Sequence, residues 1–224
     1  WVFGAGFAGL AAAHRLAALH TGDQIVVLDA TRVGEGPAGR NSGFMIDLPH
    51  DLASENYAGA AEANRVEIAD NRLAIDFAAK MAIAYDLSSE AFARTGKINA
   101  AATARGMAHN REFAAHLASL GEDHRPLDSA EMAALTGTDY YQGGLFTPGS
   151  AIIQPAMFVR GIAAGLVSNR VAIFENSPVI ALDRDGDWVA KTSTGRVRAP
   201  RVILAVNGHL ESFGILPNRF VHVF

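Results

Sequence analysis

Cysteine is absent from the 224-residue sequence. That excludes disulfides, thiolate metal ligands, a cysteine nucleophile and any cofactor bonded through cysteine, and it fits a reducing, cytoplasmic setting. Long apolar runs are missing too. Arg, His, Glu and Asp interrupt the alanine-rich stretches before they reach the roughly 18–20 residues that span a bilayer, so no transmembrane segment is expected. There is no basic run either: Lys and Arg number 19 against 23 Asp and Glu, for a net charge of −4. Nucleic acid, which is held by clustered cations, is not an expected partner. Internal repeats and low-complexity tracts are also lacking. What remains is a chain with 50% hydrophobic residues, long enough to bury a sizeable core.

Both ends have the character of interrupted strands. Trp1-Val2-Phe3 is apolar without a preceding Met, and Arg219-Phe220-Val221-His222-Val223-Phe224 stops without a turn or polar tail. The expectation is a fragment of a longer chain, with any targeting signal outside it. Periodicity predicts a helix from about Phe7 to His20, a strand Gln24–Leu28 and a glycine-rich loop Ala30–Gly43. A long amphipathic helix follows from Asn56 to about Tyr85, then a strand at Gly96–Asn99 and a helix Arg105–Leu120 stopped by Gly121. Asp128-Ser129-Ala130-Glu131 reads as a helix start with Ser129 as cap, ending near Gly137. Short strands are expected around Pro148-Gly149, and Pro155 opens a helix reaching about Val167. Five β-prone runs close the pattern: Val171–Phe174, Val179–Arg184, Trp188–Ser193, Val197–Ala199 and Val202–Val206, the middle ones forming an antiparallel meander.

Gly4-Ala5-Gly6-Phe7-Ala8-Gly9 matches G-x-G-x-x-G between a strand and a helix, and Asp29 stands about 20 residues on, at the end of the next strand. Gly4 permits the tight turn, Gly6 lets the backbone approach a pyrophosphate, and Gly9 lets helix and strand pack closely. Asp29 suits a ribose hydroxyl and repels a 2′-phosphate, which disfavours NADP against FAD or NAD; its alternative role is to cap the following turn. Eight histidines show no ligand spacing with acids, so no metal is assigned. Ser42 has no readable triad partners, His209 reads as a surface or packed residue, and Tyr140-Tyr141 reads as packing.

Asp29-Ala30-Thr31-Arg32-Val33-Gly34, running into Ala38-Gly39-Arg40-Asn41-Ser42-Gly43, resembles the segment after the second strand in FAD-dependent oxidoreductases of the D-amino-acid oxidase family. It is most similar there to the glycine/sarcosine oxidase and γ-glutamylputrescine oxidase group, whose GRNGG-like stretch lies along the flavin. Arg40 to Gly43 match that stretch, with Ser42 in place of a glycine. The resemblance implies FAD contacts at Ala30, Arg40, Asn41, Ser42, Gly43, Phe44 and Met45, in addition to the Gly4–Gly9 turn and Asp29. It also implies contacts at Val179, beside the adenine, and at Ala205, Asn207 and Gly208, where a returning strand reaches the cofactor. The implied chemistry is oxidation of a C–N bond in a small amine or amino acid, with hydride passing to flavin and the imine hydrolysing. Catalytic residues and oligomeric state are left unassigned.

The fold class expected is α/β, with a discontinuous Rossmann-like FAD/NAD(P)-binding domain over residues 1–47 and 150–208. A partial α+β substrate-side region is expected over 48–149 and 209–224. An NAD- or FAD-linked oxidoreductase of another reaction type, or a nucleotide-binding remnant without turnover, remain the alternatives.

Overall fold

A computed structural model describes residues 1–48 and 61–219. The first residues of the helix expected from Asn56, and the strand expected at the carboxyl end beyond Arg219, lie outside them. The amino-terminal βαβ unit is present: β1 (Val2–Phe3), α1 (Phe7–Leu19) and β2 (Ile25–Leu28). Its strands are buried runs of Val, Phe, Ile and Leu, and α1 turns Leu10 and Ala13 inward, three residues apart, as helical periodicity requires.

Beyond β2 come β3 (Phe44–Met45), α2 (Ala61–Ala84), β4 (Phe92–Arg94), β5 (Lys97–Ala101), α3 (Ala104–Leu120) and β6 (Arg125–Leu127). They are followed by α4 (Ser129–Thr136), β7 (Gly143–Thr147), β8 (Ala151–Ile153), α5 (Pro155–Leu166) and β9 (Val171–Phe174). The meander β10 (Ala181–Asp185), β11 (Asp187–Lys191) and β12 (Arg196–Ala199) leads to β13 (Ile203–Leu204) and a 3-10 segment, Asn207–Phe213.

The chain divides into two units. The first holds Trp1–Ser42, Ala82–Ala91 and Gln154–Phe224. Its parallel sheet has the order β13-β1-β2-β9, so the strands of the βαβ unit lie at the centre. The antiparallel meander turns Leu182, Ala190 and Val197 onto the core around Phe3 and Leu28. The segment after β13, expected on the substrate side, joins this same core: the ring of Phe213 lies 6.3 Å from that of Phe3.

The second unit holds Gly43–Met81 and Phe92–Ile153. It contains two small antiparallel sheets, β3-β8-β4 and β5-β7-β6, and a core of Leu48, Ile68, Phe113, Leu117 and Leu145. The strands flanking Pro148-Gly149 pair with different partners instead of with each other. The strand expected at Gly96–Asn99 is β5; β4, not expected, precedes it, and Gly96, at φ 68°, lies between these two strands of different sheets. β6 was not legible because Pro126 argues against a strand, yet it lies on a sheet edge, where a missing N–H is tolerated. The cap of α4 is Asp128 and not Ser129. The Asp128 carboxylate accepts the Glu131 N–H at 2.8 Å, and the Glu131 side chain accepts the Asp128 N–H at 3.0 Å, a reciprocal pair that places Ser129 inside the helix.

Candidate functional site

Three strand ends meet at the glycine turn. Gly4 donates its N–H to Leu28 O at 2.8 Å, and Ala205 donates to Phe3 O at 2.8 Å. Gly4 has φ +94°, and a Cβ there would stand 2.4 Å from Ala205 O, so the turn passes directly beneath the end of β13. A Cβ on Gly9 would stand 1.8 Å from Gly4 O and 3.3 Å from Val2 Cγ1. Gly9 therefore sets how closely α1 packs on β1. Gly6 differs: it is the extended residue that starts α1, and its Cβ would meet only Ala38 Cβ, at 3.4 Å. No side chain caps α1 and no acidic residue lies in its first turn. The positive end of the helix, with Phe7 and Ala8 exposed on it, therefore has no side-chain cap.

Asp29 caps the turn after β2, the alternative role weighed for it in the sequence, and also bonds to the glycine turn. Its Oδ1 accepts the Thr31 N–H at 2.9 Å and so caps the turn after β2, while its Oδ2 accepts the Ala5 N–H at 2.7 Å. The acidic side chain is thus fixed beside the glycine turn, with Ala30 exposed next to it. Arg40, Asn41 and Ser42 are also exposed; Asn41 donates its amide to Pro37 O at 3.3 Å and Ala38 O at 3.0 Å, closing the 3-10 turn Pro37–Gly39. Asn207 adopts φ 50° three residues beyond the β13 end, with Gly208 following in the 3-10 segment, and His209 is exposed.

The structure brings Gly4, Gly6, Gly9, Asp29 and Ala205 together at the carboxyl ends of β1, β2 and β13. Val179 sits differently from its expectation as a strand's first residue. Pro178 offers no N–H for a ladder, the strand begins at Ala181, and Val179 packs against the core of Phe3 and Leu28. Gly43, Phe44 and Met45 belong to the second unit, where Phe44 opposes Ile152 across β3 and β8 and is 67% exposed.

Two constellations escaped the sequence reading. In the second unit Asp47 is fully buried and accepts from Arg72 Nε at 3.2 Å, Arg72 Nη2 at 3.1 Å and Ser150 Oγ at 3.0 Å. Arg72 also pairs with Glu122, and that hydrogen bond, outweighing partial burial, raises the guanidinium above its ordinary pKa. Burial lowers Lys97, an effect that the Asp47 charge opposes. The available clue was one carboxylate inside the apolar run Phe44-Met45-Ile46-Asp47-Leu48. In the first unit His14 Nδ1 lies 2.6 Å from the Tyr85 hydroxyl. Burial lowers the His14 pKa, with Arg15 adding to it, and burial raises that of Tyr85. Among the described residues no group of His, Asp and Glu could hold a metal, and no helix is long and apolar enough to cross a membrane.

A parallel sheet whose central strand runs into a glycine turn and an uncapped helix, with an acid at the end of the neighbouring strand, defines a dinucleotide-binding protein. The FAD dependent oxidoreductase family, DAO, matches residues 2–222, and the chain belongs to that family. It is 29% identical over 225 residues to "Probable oxidoreductase OrdL" of Haemophilus influenzae, covering 99% of this chain and 51% of that protein. It is 26% identical over 220 residues to the gamma-glutamylputrescine oxidoreductase of Escherichia coli, covering 93% and 49%. The chain spans about half the length of these curated relatives. Among solved structures, glycine oxidase from Geobacillus kaustophilus aligns with a TM-score of 0.71 at 16% identity, over 91% of this chain and 54% of that one. L-Amino acid deaminase from Proteus myxofaciens gives 0.70 at 16% identity, over 95% and 46%. These likenesses establish the fold.

Proposed function

We propose that this chain carries the FAD-binding part of an oxidoreductase that oxidises a C–N bond of a small amine or amino acid. The observation that carries the reading is the hydrogen bond from Ala5 N–H to Asp29 Oδ2, which holds the ribose-type acid against an uncapped helix start. The residues fit the cofactor of the family. Gly6 leaves the approach to the helix free of a Cβ, the α1 terminus suits a pyrophosphate, and Asp29 suits the adenosine ribose. Phe7, Ala8, Gly9, Ala30, Arg40, Asn41, Ser42, Gly43, Phe44, Met45, Val179, Ala205, Asn207 and Gly208 complete the proposed contact set.

The chemistry that bound flavin supplies is acceptance of a hydride from the carbon bearing the amine, after which the imine hydrolyses. This chain's own residues bind and orient. The α1 terminus neutralises phosphate charge, and Arg40 offers an exposed cation on the glycine-rich loop. The names of the Escherichia coli relative and of the two solved structures, which concern an amine derivative and amino acids, support the substrate class. Small molecules and a cytoplasmic setting belong to the same proposal. The test is anaerobic bleaching of the flavin band of the full-length protein by a panel of amines and amino acids. A yellow protein bleached by a member of the panel is expected; a colourless protein that takes up no FAD overturns the reading.

A further inference from the structure

Val33 is 5% exposed, at the start of the glycine-rich loop, and is held from both sides by charged side chains distant in sequence. Its N–H donates to Glu175 Oε1 at 2.7 Å, and its carbonyl accepts from Arg160 Nε at 3.0 Å. Glu175 follows β9 and Arg160 lies on α5. Hydrogen bonds to ionised partners are about twice as strong as neutral ones, and two of them on one residue fix both peptide planes that flank it. The neighbouring backbone continues the attachment, since Asn176 N–H donates to Thr31 O at 3.1 Å and Ser177 N–H to Asp29 O at 2.7 Å.

The fixed point is transmitted along the loop. Gly34 has φ +82°, and a Cβ there would stand 3.0 Å from Arg160 Nε, so the arginine lies against this turn. Gly39 folds back onto it: its Cβ would stand 1.9 Å from Gly34 O. The 3-10 turn that ends there sets Ala38, whose methyl is the neighbour a Cβ on Gly6 would meet, at 3.4 Å. A line of contacts thus runs from Arg160 and Glu175 through Val33 and Gly34 to the turn proposed to hold the pyrophosphate.

We infer that Arg160 and Glu175 are positioning residues that hold the loop ending in Arg40–Ser42 closed over the phosphate turn, and so slow the release of FAD. This rests on the proposed cofactor site. Neither side chain needs to touch the cofactor; both act through Val33.

The test uses the full-length holoenzyme. Arg160→Met keeps the apolar stem and removes the donor, Glu175→Ala removes the acceptor, and Glu175→Gln retains an acceptor oxygen. FAD dissociation, followed by the recovery of flavin fluorescence, is expected to quicken by about tenfold in R160M and E175A. E175Q should stay within about threefold of wild type. Turnover at saturating FAD should be unchanged in all three. A merely structural clamp would lower the melting temperature of FAD-free protein while leaving the FAD-induced increment intact; here the increment itself falls. Tryptic cleavage at Arg40 in FAD-free protein provides a second readout and should accelerate in both R160M and E175A. Wild-type release and wild-type cleavage in those variants overturn the clamp but leave the cofactor site standing. A wild-type protein that binds no FAD overturns the site instead.

Discussion

Asp29 Oδ2 accepts the N–H of Ala5 at 2.7 Å while Oδ1 accepts that of Thr31 at 2.9 Å, so both carboxylate oxygens are engaged by main chain. Asparagine has one acceptor oxygen for these two donors. Asp29→Asn should therefore leave one N–H without its partner and destabilise the first unit by about 1 kcal/mol. FAD binding should weaken by about tenfold, through loosening of the turn together with loss of the ribose acceptor. Urea denaturation of the FAD-free protein and FAD titration report the two effects separately. An Asn variant with unchanged stability would show that the Ala5 bond adds nothing to the fold.

The glycines of the turn should divide by what surrounds them. Gly9→Ala forces a methyl to 1.8 Å from Gly4 O, a backbone atom that cannot move without separating α1 from β1. It should cost about 3 kcal/mol or more and reduce soluble expression. Gly6→Val meets only Ala38 Cβ at 3.4 Å, so the FAD-free fold should survive while cofactor uptake is abolished. Thermal melts with and without FAD distinguish these outcomes. Normal FAD affinity in Gly6→Val would refute the phosphate assignment.

The local half of this site was legible because its causes are local. A strand, a glycine turn and an acid at the next strand end lie within the first 29 residues, and the glycines have steric reasons readable one at a time. The turn cap proposed for Asp29 and its place beside Ala5 proved compatible, since a carboxylate has two oxygens. The helices α1, α3 and α5 were legible for the same reason, from local periodicity, Gly121 and Pro155. What stayed hidden depends on partners far apart in sequence. Glu175 reaches Val33 across 142 residues and Ser150 reaches Asp47 across 103, and nothing in either neighbourhood names the other. The exchange of Ser129 for Asp128 as cap has a simpler origin. Two adjacent residues could each cap, and the choice follows from which one lies three positions before Glu131.

Asp47 and Arg72 should respond unequally to removal. Without Asp47, Arg72 is still paired with Glu122 and is 44% exposed, so its charge keeps both a partner and water. Without Arg72, the buried Asp47 keeps the Ser150 hydroxyl as a donor among the described residues. Arg72→Met should therefore destabilise by about 3 kcal/mol, near the low end for breaking a buried pair, and Asp47→Asn by less, about 1–2 kcal/mol. Denaturant midpoints of the two variants test the order. Equal losses would mean that Glu122 does not compensate for Asp47.

His14 gives the first unit a pH dependence whose direction follows from its surroundings. Burial, followed by the charge of Arg15, lowers its pKa from the ordinary 6.5, so the folded protein binds the proton less readily than the unfolded chain. Between the folded pKa and 6.5 the unfolded state therefore carries more protons, and stability rises with pH through that window. Acidification removes it. The neutral ring can present a lone pair at Nδ1 to the Tyr85 hydroxyl 2.6 Å away, which stays protonated because burial raises its pKa; the imidazolium presents an N–H instead. His14→Gln keeps an acceptor and removes the titration. Between about pH 7 and about pH 5 the wild-type melting temperature should fall further than that of H14Q, and the two curves should run parallel at higher pH. Since α1 carries both His14 and the glycine turn, FAD affinity of the wild type should decline over the same acidic window, and in H14Q it should not.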